Sequence, residues 1–372
     1  MRITFTVSSL HFGGAERVAC LLANQWQQMG HQVTFIVTFS GRGEVAHDLA
    51  EGIEVSFLAD QSTASAKTPI GQIQRSRALR KIIIYSHPDV VVSFLSRVNV
   101  GTVLATRGLG TPVIVSERTY PPAVTHSWFF EQLRRWAYSK ATAVVVQTEA
   151  ANRWLAAVCP DANGAVIANP LKLPLANNKG KVVAPDLEDK KLILSVGRLV
   201  ELKGHRHLIN AFAKIMVDEP VLAKQWRLVI AGDGPEEENL AALIERHGLT
   251  EHIRLLGNIG NIADWLEEAE IYVHSAEFEG FPNSLIEAMA HHTACLSVDC
   301  PVGPGEVIEH ELNGLLASPK DPEESLVAPL LTLMGDPNLR QQYAEEAMKV
   351  ISRLDAHNIA QKWLDLFASL KR

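Results

Sequence analysis

The stretch "RITFTVSSLHFGGAERVACLLANQWQQMG", residues 2–30, decides the fold class. Its first nine residues alternate between apolar and polar side chains as a strand does, and Gly13 and Gly14 follow in a loop. A helical pattern then runs from about Ala15 to Met29 and is ended by Gly30. The next strand, "QVTFIVTF", begins directly afterwards. A strand, a crossover helix and a second strand predict a parallel sheet.

The same alternation continues along the chain. The strands "DVVVSFL", "PVIVSE" and "AVVVQT" complete a first wound domain. A second series begins at "KKLILSVGR" and continues through "WRLVIAGDG", "IRLLG", "EIYVHSA" and "ACLSVD". Between them, "NPLKLPLANNKGKVVAPDLED" has the Pro, Asn and Lys content of a linker. We therefore predict an α/β protein with two Rossmann-like, doubly wound domains, residues 1–181 and 182–356.

The last helical pattern, about residues 357–372, has an apolar face. We expect it to pack back on the first domain through the four side chains of that face, Ile359, Trp363, Leu366 and Phe367.

Composition excludes several classes of protein. A chain of 372 residues suits two domains of ordinary size. No apolar run approaches the length of a membrane-spanning helix, and the alternating N-terminus is unlike a signal peptide, so we expect a cytoplasmic protein. The four cysteines, Cys20, Cys159, Cys295 and Cys300, lack metal-type spacing. We expect reduced, buried thiols, with no metal site and no cofactor.

The two halves of the chain differ in charge. Residues 1–181 hold 18 Lys and Arg against 11 Asp and Glu, a balance of +7, which leaves 17 against 31, or −14, for residues 182–372. A basic half is typical of proteins that meet nucleic acid, an anionic membrane surface or a phosphorylated substrate. A chance difference in surface charge stays open.

Two places after predicted strands could bind an anion. In wound domains, ligands lie beyond the carboxyl ends of the strands. Gly13 and Gly14 open the first helix there, where backbone N–H groups and the helix dipole attract negative charge, although "FGGAER" lacks the full dinucleotide-binding spacing. Arg198 and Lys203 follow the strand "LILSVG" and could clamp a diphosphate. Solvated surface charge explains this pair equally well.

The segment "EFEGFPNSLIEAMA" carries two carboxylates with a spacing of eight, Glu279 and Glu287. Pro282 favours the first turn of a helix, so the helix should begin between Phe281 and Asn283. Its first N–H groups, those of Asn283, Ser284 and Leu285, would then be free for a phosphate oxygen. Glu287 would lie one turn inside, on an apolar helix, where a pair of vicinal hydroxyls could satisfy it. An ordinary loop glutamate and a solvated helical one are the alternative.

Taken together, these segments resemble the family-4 retaining glycosyltransferases. The resemblance covers nearly the whole chain and is carried by "GGAER", "VGRLVELKG", "VIAGDGP", "EFEGFPNSLIEAMA" and "GPGEVIEHELNGLL". It implies the GT-B fold, in which two Rossmann-like domains face each other across a cleft. Within the family, "SFLSRVNV" and "PVIVSERT" look most like bacterial enzymes that extend undecaprenyl-diphosphate-linked oligosaccharides, such as hexosaminyltransferases of N-glycan or polysaccharide assembly.

The resemblance implies a role for each matching residue. Glu287 resembles the glutamate that binds the ribose hydroxyls of the nucleotide, and Glu279 the one near the ring hydroxyls of the donor sugar. Arg198 and Lys203 resemble the diphosphate clamp, and Gly14 the glycine that lies against it. We take Glu279, Arg198 and Lys203 as candidate catalytic residues. The candidate substrate-binding residues are Gly13, Gly14, Glu287, Phe281, Pro282, Asn283, Ser284, Leu285, Glu117 and Arg118.

Arg118 marks a departure from the family. Many relatives carry a histidine directly after "SE", near the reaction centre, and its role cannot be transferred to an arginine. Glu117 and Arg118 are candidates for positioning acceptor or donor, and a structural ion pair with a neighbouring helix is the equal alternative.

The implied reaction is transfer of a hexose or N-acetylhexosamine from a nucleotide diphosphate sugar, with UDP as the expected nucleotide. The acceptor would be lipid-linked or a polysaccharide. The resemblance implies retention at the anomeric carbon, and the absence of an Asp-x-Asp pair fits a metal-independent reaction. A nucleotide-sugar epimerase or hydrolase of the same fold, or a non-catalytic nucleotide-binding membrane protein, is the alternative.

We expect the basic half to bind an anionic membrane at the inner face of the plasma membrane, and we expect no nucleic-acid partner. Two segments mix cations with apolar side chains, as interfacial helices do. They are "IQRSRALRKIII", with Arg75, Arg77, Arg80 and Lys81, and "WFFEQLRRWAYSK", with Arg134, Arg135 and Lys140 beside Trp128, Phe129, Phe130 and Trp136.

Overall fold

The chain forms two compact units. The computed structural model describes residues 1–10, 13–39, 48–65, 67–120, 122, 126–175, 182 and 190–370. One unit comprises Met1–Pro170 together with Leu354–Arg372, and the other comprises Leu171–Arg353. The first unit thus ends its first segment at Pro170, whereas the sequence predicts a boundary at residue 181. Most of the predicted linker, residues 169–189, lies outside the described residues.

The first unit contains a seven-stranded parallel sheet. Its strands are β1 (Arg2–Val7), β2 (Gln32–Val37), β3 (Glu54–Phe57), β4 (Val90–Phe94), β5 (Val113–Ser116), β6 (Ala143–Val146) and β7 (Gly164–Val166). Their order is β3-β2-β1-β4-β5-β6-β7, so the direction of winding reverses between β1 and β4. The five predicted strands are confirmed, and the two edge strands β3 and β7 were not predicted.

Among the residues that the structure describes, six helices connect these strands. They are α1 (Gly14–Gln28), α2 (Leu58–Gln61), α3 (Pro69–Tyr85), α4 (Ser96–Thr106), α5 (Trp128–Lys140) and α6 (Glu149–Val158). Side-chain caps define where several begin: the hydroxyl of Thr68 accepts from the backbone N–H of Gly71 at the start of α3, and that of Thr148 accepts from Ala151 at the start of α6.

The second unit contains a six-stranded parallel sheet. Its strands are β8 (Lys191–Val196), β9 (Trp226–Ala231), β10 (Ile253–Leu255), β11 (Ala269–His274), β12 (Ala294–Val298) and β13 (Leu315–Ala317). Their order is β10-β9-β8-β11-β12-β13, so the winding reverses between β8 and β11. The five predicted strands are again confirmed, and the edge strand β13 was not predicted. In such sheets the ligand site lies beyond the carboxyl ends of the two strands at the reversal.

In the described part of the second unit, nine helices follow the strands or close the unit. They are α7 (His205–Asp218), α8 (Pro220–Ala223), α9 (Glu237–Arg246), α10 (Ile262–Glu268), α11 (Asn283–Ala290), α12 (Pro304–Val307), α13 (Pro322–Gly335), α14 (Pro337–Ala347) and α15 (Val350–Leu354). The core of this unit includes Phe212 on α7, Trp226 on β9 and Leu330 on α13, all fully buried.

The last helix, α16 (Ala356–Ser369), packs in the first unit. Its Trp363 and Phe367 lie with their ring centroids 6.1 and 5.5 Å from that of Trp26 on α1. The indole N–H of Trp26 donates a hydrogen bond of 3.2 Å to the carbonyl oxygen of Ala360. An aromatic cluster therefore joins the last helix to the first.

None of the described helices combines the length and the apolar character needed to cross a membrane. The four cysteines are buried free thiols. Burial is the main reason why the pKa of the Cys20 thiol is raised to about 12.

Candidate functional site

The turn after β8 presents Arg198 to solvent. A hydrogen bond of 2.7 Å from the backbone N–H of Leu199 to the carbonyl oxygen of Asp233 fixes this turn. Gly232 passes so close that a Cβ atom there would lie 1.9 Å from the carbonyl oxygen of Gly197, and its φ of +146° favours glycine. The guanidinium of Arg198 makes no hydrogen bond or ion pair with any described residue. This turn thus holds the guanidinium of Arg198 in a position where it is available to bind an anion.

The next turn places Lys203 against the loop after β11. The hydroxyl of Ser275 donates 3.0 Å to the carbonyl oxygen of Lys203, and the backbone N–H of Glu277 donates 2.9 Å to that of Leu202. Gly204 has a φ of +62°, and a Cβ atom there would lie 2.1 Å from the carbonyl oxygen of Ser275. Because only glycine fits this approach, the two loops can meet.

Glu279 lies between two basic side chains. The ammonium of Lys203 forms an ion pair with Oε1 of Glu279, and Nε2 of His274 lies 3.2 Å from the same oxygen. The side chains of Glu279 and His274 are only 12% and 3% exposed. Burial alone would raise the pKa of Glu279, but Lys203 and His274 together outweigh burial and lower it to about 2. Glu279 is therefore a carboxylate anion at neutral pH.

Helix α11 begins where the sequence predicts it. Its first residue, Asn283, donates its backbone N–H to the carbonyl oxygen of Phe281 at 2.9 Å, so that group is not free. The N–H groups of Ser284 and Leu285 have no acceptor among the described residues, as expected in a first turn. The hydroxyl of Ser284 donates 3.2 Å to the carbonyl oxygen of Val196, the last residue of β8. The helix start is thereby tied to the strand that precedes Arg198.

Three further residues of this segment, Phe281, Pro282 and Glu287, are buried. Glu287 is the fifth residue of α11, one turn inside the helix, and only 5% of it is exposed. Phe281 and Pro282 also lie in the interior, where Pro282 packs so close to Gly303 that a Cβ atom on that glycine would lie 3.0 Å from Cδ of the proline. Their observed contribution is to shape the loop that carries Glu279.

In the first unit, Gly13 and Gly14 stand at the start of α1, with Gly13 as its N-cap residue. The carboxylate of Glu16 folds back over this start: Oε1 accepts hydrogen bonds of 3.3 Å from the hydroxyls of Ser8 and Ser9. A Cβ atom on Gly13 would lie 2.3 Å from Oε2 of Glu16. A carboxylate of the chain itself therefore lies close to the start of α1, where the helix dipole favours negative charge.

Glu117 belongs to a buried network inside the first unit. Tyr138 donates a hydrogen bond to Oε1, Ser96 donates 3.0 Å to Oε2, and Nη1 of Arg134 lies 3.7 Å from Oε1. Burial raises the pKa of Glu117, although Tyr138 and Arg134 act in the opposite direction. This arrangement favours the structural alternative, an ion pair between a strand end and a neighbouring helix.

Arg118 is also enclosed. It lies over the ring of Phe94, with 4.3 Å from Cζ to the centroid, and its Nη2 donates to the side-chain oxygen of Asn169. Burial lowers its pKa to about 9. The guanidinium thus fills the interior beside Asn169, and only a small part of Arg118 reaches the surface.

The burial of Arg134 shows that the expectation for the second basic segment, "WFFEQLRRWAYSK", was wrong at this residue. It was predicted to face lipid together with Arg135, but it is buried, with Nη2 2.6 Å from Oε2 of Glu131 and its guanidinium over the ring of Trp154. Arg135, Trp128 and Phe129 are exposed, as predicted. A glutamine, Gln132, and not Arg134, lies beside Arg135 on the exposed face.

Three residues of these sites were missed from the sequence: His274, Ser275 and Glu16. The only available signal for the first two was their place at the end of the strand "EIYVHSA", directly before Glu279. Among the residues that the structure describes, no group of three or more His, Cys, Asp or Glu side chains could hold a metal ion.

Both units match models of known protein families. Residues 13–170 match the glycosyl transferase 4-like domain, and residues 180–350 match the glycosyl transferases group 1. Together the two models cover most of the chain, and both describe glycosyltransferases. The resemblance stated from its sequence is confirmed, and the protein is an enzyme that transfers sugars.

Curated relatives of the glycosyltransferase come from several bacteria. An α-1,4-N-acetyl-D-galactosaminyltransferase of Campylobacter jejuni, named for a diphospho-undecaprenol-linked glycan, is 26% identical over 100% of this chain and 99% of its own. A second such transferase of that organism is 35% identical over 50% of this chain and 48% of its own. An exopolysaccharide phosphotransferase of Streptomyces coelicolor is 35% identical over 61% of this chain, which spans only 23% of that protein.

Solved structures confirm the fold of the glycosyltransferase. HepE of Anabaena, in complex with UDP, superposes with a TM-score of 0.79 at 19% identity and covers 99% of this chain and 100% of its own. Sucrose-phosphate synthase of Thermosynechococcus elongatus superposes with a TM-score of 0.81 at 17% identity, over 99% and 98%. The chain therefore has the two-domain GT-B architecture, with a parallel sheet in each domain.

Proposed function

We propose that this glycosyltransferase moves a hexose or N-acetylhexosamine from a UDP-sugar to a lipid-diphosphate-linked glycan or a polysaccharide. The arrangement that carries the proposal is the charged cluster at the carboxyl ends of β8 and β11, where Arg198, Lys203 and Glu279 stand beside the start of α11. The names of the two Campylobacter relatives specify diphospho-undecaprenol-linked acceptors, and structures of HepE hold UDP or UDP-glucose.

The departing diphosphate is the part of the reaction that needs stabilisation. Arg198 would bind one phosphate through its planar fork and Lys203 another as a compact charge. The free N–H groups of Ser284 and Leu285 add two donors at a positive helix end. Donors fixed in advance around developing negative charge are the main source of catalysis in such a site, and they would serve without a metal ion.

The two glutamates would bind hydroxyl groups of the donor. Glu279, at the edge of the cluster, would accept a hydroxyl of the donor sugar, and Glu287, deeper in α11, would accept the ribose hydroxyls. We propose retention at the anomeric carbon by front-side attack, in which the bond to the diphosphate breaks as the acceptor oxygen approaches from the same face. The leaving phosphate would take the proton of the acceptor hydroxyl.

The first unit would dock on an anionic membrane at the inner face of the plasma membrane. Helix α3 presents a continuous exposed stripe, because side chains three and four positions apart share a helix face. This stripe consists of Ile70, Ile73, Arg77, Lys81 and Ile84. Trp128 and Phe129 are exposed at the start of α5. Two other cations of the predicted segment are engaged with the protein: Arg75 donates to the carbonyl oxygen of Thr38, and Arg80 to those of Ala105 and Arg107.

Incubation of the purified protein with a panel of UDP-sugars and undecaprenyl-diphosphate oligosaccharides tests the function, with and without EDTA. We expect elongation of the lipid-linked glycan from one donor, unaffected by EDTA, with the anomeric configuration preserved. Consumption of UDP-sugar that does not depend on the acceptor would favour a hydrolase or epimerase. Binding without turnover of any donor would favour a non-catalytic protein.

A further inference from the structure

His274 is a buried side chain to which the proposed reaction assigns no role. It is the last residue of β11, it is 3% exposed, and its Nε2 makes no hydrogen bond with any described residue. The nearest charged atom is Oε1 of Glu279, at 3.2 Å, which is close enough for a hydrogen bond but off its direction. Buried polar atoms are rarely left unpaired, because desolvation is then not compensated.

The same oxygen already has a stronger partner. Lys203 forms its ion pair with Oε1 of Glu279, while Oε2 makes no hydrogen bond or ion pair with the described residues. Lys203 and His274 therefore compete for one oxygen, and the second oxygen is available for a ligand. A small rotation of the carboxylate would align Oε1 with Nε2 of His274.

A bound diphosphate changes this competition. Its charge exceeds that of one carboxylate, and the ammonium of Lys203 has only three donors to distribute. Once Lys203 turns to the diphosphate, Glu279 loses much of the interaction that keeps it ionised in a buried position. A carboxylate without a partner there would take up a proton or swing away, and either change would remove the acceptor for the donor sugar.

We propose that His274 is a positioning residue, which takes Oε1 of Glu279 when Lys203 turns to the diphosphate and so holds Oε2 toward a hydroxyl of the donor sugar. This inference rests on the proposed function and names the residue that keeps its sugar-binding carboxylate in place. For this role, Nε2 carries a proton and donates to the carboxylate.

Two substitutions of similar size separate positioning from mere packing. His274→Gln keeps an N–H donor at the end of the side chain, whereas His274→Leu fills the same space without one. Isothermal titration measures the affinity of each variant for UDP and for UDP-N-acetylgalactosamine, and steady-state kinetics gives kcat and KM. Thermal unfolding confirms that both variants are folded.

We expect the Leu variant to lose only a few-fold in affinity for UDP, because a carboxylate left without His274 can swing away and UDP carries no sugar for it to hold. Its affinity for the UDP-sugar and its kcat should fall roughly ten-fold, as for one charge-assisted hydrogen bond. The Gln variant should retain most of the wild-type affinity for the UDP-sugar and most of the wild-type kcat. The positioning role is overturned if the Leu variant equals wild type, if it loses affinity for UDP and UDP-sugar equally, or if Gln restores nothing.

Wild-type protein provides a readout that does not depend on the stability of any variant. With ¹⁵N-labelled histidine, addition of UDP should produce one hydrogen-bonded imidazole N–H signal, and the Gln variant should lack it. Absence of that signal from UDP-saturated wild type contradicts the proposal.

If wild type binds neither UDP nor any UDP-sugar, the proposed function fails and the positioning role fails with it. If wild type binds the UDP-sugar but the Leu variant does not differ, only the positioning role is lost.

Discussion

Arg134 and Glu117 face each other in the interior of the first unit, with Nη1 3.7 Å from Oε1 and side chains that are 3% and 2% exposed. Arg134 is held further by Glu131 and by the ring of Trp154. Removal of Arg134 would leave the carboxylate of Glu117 buried without an opposite charge, although Tyr138 and Ser96 would still donate hydrogen bonds to it.

Replacement of Arg134 should therefore destabilise the protein instead of changing its membrane binding. We expect Arg134→Met to cost about 3–5 kcal/mol in the free energy of unfolding. Arg135→Met, a change at the exposed neighbouring position, should cost less than about 0.5 kcal/mol. Urea denaturation of both variants gives the comparison. An Arg134→Met protein as stable as wild type would show that the pair contributes nothing.

Substitutions of Lys203 and Glu279 should lower the rate of sugar transfer in a protein that still folds. Lys203→Ala and Glu279→Gln each remove a charge-assisted contact with the donor, worth roughly 1.5–3 kcal/mol. That corresponds to a rate lower by about ten- to a hundred-fold. Lys214→Ala, at an exposed lysine of α7 in the same unit, is the control and should retain full activity. Wild-type turnover by either site variant would remove that residue from the site.

Glu287 should distinguish ribose from deoxyribose in the donor. A donor without the 2′-hydroxyl leaves the buried carboxylate with an unsatisfied oxygen, so wild type should bind it about ten-fold more weakly. Glu287→Ala has no carboxylate to leave unsatisfied and should bind the two donors with nearly equal affinity. Titration calorimetry with matched donors measures both ratios. If the ratio is the same in both proteins, Glu287 does not contact the ribose.

Stability at acid pH should depend on Glu279. Its pKa is about 2 in the folded protein against an ordinary 4.5, so ionisation of Glu279 stabilises the fold fully above pH 4.5. This stabilisation is lost as the pH falls from 4.5 through about 2. We expect Glu279→Gln to be less stable than wild type at pH 6 and the difference to shrink toward pH 2. Urea denaturation across this range measures it, and a constant difference would contradict the lowered pKa.

Membrane docking should depend on the exposed cations of α3. Sedimentation with liposomes that contain anionic lipid should carry the protein down, and added salt should weaken this because it screens surface charge. Arg77→Glu should reduce binding roughly ten-fold, since each cation near the surface contributes on the order of 1 kcal/mol and its reversal adds repulsion. Arg153→Glu, an equal change of charge on an exposed residue of α6, should have a smaller effect. Failure to bind anionic liposomes at low salt would end the membrane proposal and leave the transferase untouched.

Ten of the thirteen strands could be predicted from the sequence, and the three that could not share a physical cause. Strands β3, β7 and β13 are three or four residues long and lie at the edges of their sheets, and of the short edge strands that the structure describes only β10 was predicted, from the segment "IRLLG". An edge strand has one neighbour and less buried surface, so its sequence lacks the continuous apolar run of a central strand such as β4. Short edge segments such as "GAV" in β7 therefore resemble loops.

The candidate site was predictable in part, for a different reason. Glu279, Glu287, Arg198 and Lys203 lie in recognisable segments whose spacing indicates their place on turns and helices. His274 carries no such signal, because a histidine that ends a buried strand is read as core until its distance to Glu279 is known. Arg134 shows the converse: its segment looks amphipathic, and only the position of Glu117, directly after β5, shows which arginine points inward.

The packing of α16 on α1 makes the first unit discontinuous in the chain. During synthesis, Trp26 leaves the ribosome long before Trp363 and Phe367 exist to cover it, so the first unit cannot complete its aromatic cluster until the whole second unit has been made. The second unit lies in one unbroken segment and has no such delay. Although it comes later in the chain, it can close its core first, which reverses the usual order in which domains mature from the N-terminus.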